Sequence, residues 1–122
     1  MSGNVKFNGW INDDGTENYK CRAWVNFDGS GTVAIRASGN VSSITDYAQG
    51  QYRVNFTTAM PDVNYGTTVG ISSNAGDSVW PVSYITNASN GGASSTSSLG
   101  LNVGNISGST VDAVSVNVAI FR

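Results

Sequence analysis

Between Cys21 and Asp28 every second residue is apolar, and the positions between are polar except for Trp24. Cys21, Ala23, Val25 and Phe27 fall on one parity, and Arg22, Trp24, Asn26 and Asp28 on the other. A period of two marks a strand with one buried face. Asp28-Gly29-Ser30-Gly31 follows as a turn, and Thr32–Arg36 returns as a second strand with Val33 and Ile35 inward. Val41–Thr45 forms a third. Gln51–Thr57 is the clearest, with Tyr52, Val54 and Phe56 on one face and Arg53 and Asn55 on the other. Met60-Pro61-Asp62 breaks the ladder, because proline lacks the donor that a central strand needs. Tyr65, Thr67, Val69 and Ile71 make the next inward row. Val79–Thr86 follows, with Pro81 pointing to an edge or a bulge. Leu99, Leu101 and Val103 open another strand. The last runs through Val114, Val116, Val118 and Ile120, alternating with Ser115, Asn117, Ala119 and Phe121.

No segment carries a helical period. About eight short strands joined by Gly/Asn turns predict an all-β fold, an antiparallel β-sandwich or a flattened barrel, over residues 20–122. Its core is expected to hold Val25, Phe27, Val54, Phe56, Val69, Ile71, Val116, Val118 and Ile120. Residues 1–19 read as an N-terminal arm, partly extended, with Asn12-Asp13-Asp14-Gly15 as a turn and Val5, Phe7, Trp10 and Ile11 free to dock. Residues 87–98 (NASNGGASSTSS) read as a polar loop that is mobile or ordered by a partner. Strand edges must be covered or paired, and self-association is one way to do so.

Charge narrows the picture. Charged residues are 11% of the 122, against about 25% in an average globular chain. Gly, Ser, Thr and Asn take their place. Such a surface suits a large assembly or a neutral, hydroxyl-rich ligand. The net charge is -2, and the basic residues Lys6, Lys20, Arg22, Arg36, Arg53 and Arg122 are scattered. Nucleic-acid binding needs clustered cations, so it is not expected. No apolar run approaches the roughly 18–20 residues that cross a bilayer, so membrane insertion is not expected, and MSGNVKFNGW lacks the pattern of a signal peptide. A single cysteine, Cys21, excludes an intrachain disulfide and is expected to be a buried, unreactive thiol.

The chain has no histidine, which removes the Ser-His-Asp triad, the Cys-His pair and most zinc sites. A carboxylate pair for glycoside hydrolysis remains conceivable. Most of the acids, however, sit in turn contexts: Asp13, Asp14, Asp28, Asp62 and Asp77. Asn12–Glu17 is rich in oxygen ligands, but without the spacing of an EF-hand loop. No phosphate-cradling glycine motif occurs. Neither a metal nor a cofactor is expected. Asn40, Asn55, Asn87 and Asn105 head N-x-S/T triplets, which chance explains in a chain so rich in these residues. Aromatic residues offer more. Aromatic faces stack on sugar rings and anchor interfaces. Phe7, Trp10, Ile11, Trp24, Trp80 and Tyr84 are the candidates for an interface or a ligand, and Trp24 lies on the face opposite Val25 and Phe27.

Two segments, AWVNFDGSGTVAIRASGNVSSITD (Ala23–Asp46) and YRVNFTTAMPDVNY (Tyr52–Tyr65), resemble a stretch that recurs in tail-fibre and other surface proteins of tailed bacteriophages. Together they cover roughly a third of the chain. The resemblance implies a virion surface protein, a fibre or spike tip or a capsid decoration protein, acting in assembly and host attachment. It implies a trimer that touches host-surface glycans and other virion proteins. The shaft or coiled-coil stem of that family is missing, so the expectation is an isolated small virion protein or a fragment of a longer fibre. More weakly, Tyr52–Phe56, Pro61–Val63 and Val116–Ile120 resemble H-type lectin-like sandwiches, which bind sugars. The alternatives are therefore a stand-alone carbohydrate-binding module and, from a different class, a small glycan-degrading enzyme.

Overall fold

A computed structural model describes residues 11, 13–15, 20–72 and 93–122, together with the backbone of 81–85. Eight strands follow one another: β1 (Cys21–Asp28), β2 (Ala34–Gly39), β3 (Val41–Ala48), β4 (Gln51–Phe56), β5 (Gly66–Ser72), β6 (Pro81–Ile85), β7 (Ser98–Asn105) and β8 (Ser115–Phe121). No described residue is helical. The strands form two antiparallel four-stranded sheets, ordered β2-β1-β8-β5 and β3-β4-β7-β6. The chain is an antiparallel β-sandwich.

The alternation along each strand explains the packing. Ala23, Val25 and Phe27 of β1 and Val116, Val118 and Ile120 of β8 face Tyr52, Val54 and Phe56 of β4 and Leu99, Leu101 and Val103 of β7 across the interior. These four are the inner strands of the two sheets. Each of the valine, leucine, isoleucine and phenylalanine side chains taken out of water stabilises the fold by roughly 1.5–3 kcal/mol. The rings of Phe27 and Tyr52 meet edge to face with centroids 5.2 Å apart, and those of Phe56 and Tyr65 at 6.0 Å.

Edge strands account for most departures from the sequence expectation. Val69 and Ile71 keep their inward parity but are only half-buried, because β5 closes one side of its sheet. β2 begins at Ala34, later than expected, and Ile35 is paired with Phe27 yet 38% exposed at the opposite edge. Val33 lies just before the strand and packs on the core. At the last strand the inward residue before Val116 is Ala113, not Val114. Pro81 opens the edge strand β6, a first-residue position where proline is tolerated.

Two expectations fail for local reasons. Cys21 is exposed, not buried. The β1–β8 register slips between Cys21 and Ala23, so Cys21 stands opposite the outward-facing Phe121. Of the polar loop 87–98, the part described is ordered within the chain itself. Thr96 and Ser97 carbonyls accept the Met60 and Phe56 N–H groups at 2.7 and 2.9 Å, and the Tyr65 hydroxyl reaches the Ser95 carbonyl at 3.0 Å. Met60, placed in the sequence at a strand break, is a buried plug of the core.

The chain first crosses from one sheet to the other between β2 and β3, at Asn40. Its φ of 55° puts it in the left-handed region, which asparagine tolerates better than most residues. Asn40 Nδ2 donates to the carbonyls of Arg22 and Thr58, both at 3.0 Å, and its Oδ1 accepts the Thr58 N–H at 2.7 Å. Its own carbonyl accepts the Thr57 N–H at 3.1 Å. One side chain thus ties the corner to β1 and to the segment after β4.

Candidate functional site

The outward face of the β2-β1-β8-β5 sheet carries the site. Residues directly opposite in an antiparallel ladder share a face. The register therefore lays out one row as Gly39, Trp24, Ala119 and Thr68, and the next as Ala37, Asn26, Asn117 and Gly70. Trp24 is the largest group in these rows, and Ala119 and Gly70 leave space beside it on β8 and β5. The result is an open trough of about 390 Å³, bordered by Trp24, Asn26, Thr68, Gly70, Asn117 and Ala119. That volume falls in the range of small-ligand sites.

Trp24 is 44% exposed although it sits on an inner strand. Its indole leans onto the neighbouring edge strand. A Cβ on Gly39 would lie 2.4 Å from Trp24 Nε1 and 2.9 Å from Cδ1, so the five-membered ring occupies the space a side chain would need. Glycine at position 39 makes a seat for the indole and leaves the room above Ala119 empty.

The polar groups beside the ring are held in place. Asn26 Nδ2 donates to Asn117 Oδ1 and lies 3.3 Å from Ser115 Oγ. Arg36 Nη1 reaches Asn26 Oδ1 at 3.4 Å, and Arg36 Nη2 pairs with Asp28 Oδ2 at 3.2 Å. Asp28 in turn accepts the Ser30 hydroxyl at 2.6 Å and the Ser30 N–H at 2.8 Å. The Ser30 hydroxyl, then its N–H, then the Arg36 charge hold the Asp28 carboxyl below its usual range. The trough itself is lined by no charged residue, and the Arg36–Asp28 pair lies beyond its end. Asn117 Nδ2 and Thr68 Oγ1 have only 3.5 Å approaches, to Ser115 Oγ and the Ala119 carbonyl, which leaves them able to bond a ligand.

The other candidates are not gathered there. Phe7, Trp10 and Trp80 lie outside the described residues, and Tyr84 stands opposite Asn102 in the β6–β7 ladder of the other sheet. Ile11 is 64% exposed. Asp13, Asp14 and Gly15 form the expected turn, with Gly15 at φ 84°. Three acids serve as struts: Asp28 as above, Asp62 with Arg122 at 2.7 Å, and Asp112 with Tyr52 at 2.9 Å. Among the described residues no three His, Cys, Asp or Glu side chains are placed to share a metal ion.

Sequence reasoning picked out Trp24 and its outward parity. It missed Asn26, Thr68, Gly70 and Asn117, whose partnership depends on β8 lying between β1 and β5. The remaining signal was glycine and polar residues at outward positions, which alone distinguishes nothing. Comparison with family models, curated proteins and solved structures gives no match.

Proposed function

We propose that this chain is a surface protein of a tailed-bacteriophage virion, at a tail-fibre or spike tip or as a capsid decoration, working by assembly and host-surface adhesion without catalysis. The resemblance of Ala23–Asp46 and Tyr52–Tyr65 to fibre segments supports the location. The adhesive role is carried by one observation: an uncharged, open trough beside a half-exposed tryptophan on the outward sheet face. A glycan-degrading enzyme fits less well, because Asp28, Asp62 and Asp112 are each committed to a structural partner. Its partners on this reading are copies of itself in a trimer, other virion proteins and a host-surface glycan.

Purified particles test the location. Protein mass spectrometry should find the chain at a fixed copy number per virion, and its absence would sink the proposal. Light scattering on the isolated chain should give a trimer, since a specific contact buries on the order of 1,000 Å² or more. A monomer at tens of micromolar would rule the trimer out. The trough also favours a second reading, a stand-alone lectin-like module. In that case the free protein would bind a glycan array while no particle contains it.

A further inference from the structure

We infer that the trough between Trp24 and Thr68 is a binding site for a neutral hexose ring, resting on the reading of this face as the adhesive one. Gly70 is the residue that turns the trough from a surface irregularity into a site. It lies in the middle of β5, and the β5–β8 register runs through it without a bulge. Its backbone is not in the left-handed region. A Cβ built there would meet only Asn117 Cβ, at an ordinary 3.8 Å. The fold has room for a side chain at this position and no conformational need for glycine. Glycine inside a strand weakens it, and away from bulges and bends it often marks a place where a ligand or another backbone comes close.

The chemistry of the walls selects the occupant. An exposed indole offers an apolar face with a negative quadrupole, which suits the C–H face of a pyranose. Asn117 Nδ2 on the neighbouring strand β8 and Thr68 Oγ1 across the trough on β5 supply a donor and a donor–acceptor, each with spare capacity. The Asn26–Asn117–Ser115 contacts fix the amides before any ligand arrives, which lowers the ordering cost of binding. An anionic or cationic sugar would find no counter-charge in the trough, so the ligand is an uncharged hexose at the end or along the chain of a glycan.

The test titrates the isolated full chain with methyl hexosides of glucose, galactose, mannose and N-acetylglucosamine, followed by amide chemical shifts. Saturable shifts centred on Thr68, Gly70 and Asn117 with at least one sugar are expected. Trp24→Ala should weaken binding at least about tenfold. Gly70→Val should abolish it while leaving the thermal midpoint unchanged or higher, because a β-branched residue suits a strand, so lost binding cannot be blamed on unfolding. The inference is overturned if no hexoside shifts these amides, if both variants bind like the parent chain, or if the variants instead disrupt self-association, which would make the trough a contact between copies. Hexose binding by a chain absent from particles would defeat the virion proposal alone. A particle-borne chain that ignores hexoses would defeat the ligand alone.

Discussion

The hydroxyl of Tyr52 lies 2.9 Å from Asp112 Oδ1 and, on its other side, 2.9 Å from the carbonyl oxygen of Gly29. The same carboxylate oxygen accepts the Gly50 N–H at 2.7 Å. One phenol in the core thus joins the β1–β2 turn, the β3–β4 hairpin and the segment that leads into β8. Its ring is buried against Phe27, so the polar tip must find partners inside the protein.

Tyr52→Phe keeps the ring and removes the bond. It should cost about 1–2 kcal/mol in denaturant unfolding, since Asp112 Oδ1 keeps the Gly50 N–H while the carbonyl of the buried Gly29 loses this contact. Burial first, and then the bond and charge of Asp112, push the Tyr52 hydroxyl well above its ordinary value of 10.0. The folded chain therefore holds this proton more tightly than the unfolded chain. The associated stability is fully present below pH 10 and declines as pH rises beyond it, because only the unfolded tyrosine ionises readily. Tyr52→Phe should flatten that alkaline decline. An equal decline in both proteins would show that Tyr52 is not its source.

Asn40 combines a left-handed backbone with three side-chain hydrogen bonds at the corner between the sheets. Asn40→Ala loses the bonds and pays more for the left-handed backbone, and should destabilise by roughly 2–4 kcal/mol. Asn40→Gly relieves only the backbone part and should cost less. Equal thermal midpoints for the two variants would mean that the left-handed conformation contributes little.

How much of this was legible in the sequence follows from what alternation can encode. Tyr52, Val54 and Phe56 alternate with polar residues in a central strand, and all three are buried as expected. Alternation carries no information about which strands are edges, so Ile35, Val69 and Ile71 were expected deeper than they lie. It fails at a bulge, where Cys21 changes face. It also assigns one buried face per strand, whereas β7 is buried on both, with Gly100 and Asn102 covered as well as Leu99 and Leu101. Asn40 looked like the head of a chance triplet, because its partners Arg22 and Thr58 are each 18 positions away. The trough was invisible beyond Trp24 for the same reason: Asn26 and Asn117 are 91 positions apart.

The β4–β5 connection is tied to the end of β8 by the Asp62–Arg122 pair, with both guanidinium contacts at 3.0 and 2.7 Å. The Arg122 bonds first, and the Asn64 N–H second, draw the Asp62 carboxyl from 3.8 down to about 2. A carboxyl depressed on folding contributes stability above its unfolded value, and that contribution is lost as pH falls from about 4 toward 2. Side-chain carbon shifts of Asp62 should show a midpoint near 2, and Arg122→Ala should move it back toward 3.8. A midpoint that ignores the substitution would show that the pair does not persist in solution.

Two glycines lack room for a Cβ to almost the same degree, and the outcomes of filling them should be opposite. On Gly39 the nearest obstacle is Trp24 Nε1 at 2.4 Å; on Gly50 it is the Val103 carbonyl oxygen at 2.3 Å, with Val111 N and O at 2.8 and 2.7 Å. An indole can rotate, but a ladder of backbone atoms cannot. Gly50 also has φ 66° and accepts the Val103 N–H at 2.7 Å, so a side chain there strains the backbone and separates β7 from the hairpin. Gly50→Ala should cost roughly 3 kcal/mol or more, the left-handed penalty and overpacking together, and many molecules would not fold. Gly39→Ala should leave the fold intact and push the indole from its seat into the trough. The expected signature is near-parental thermal stability with altered tryptophan fluorescence and weaker hexose binding. If Gly39→Ala unfolded the chain as readily as Gly50→Ala, the indole would have to be a structural part of the sheet and not a movable wall of the site.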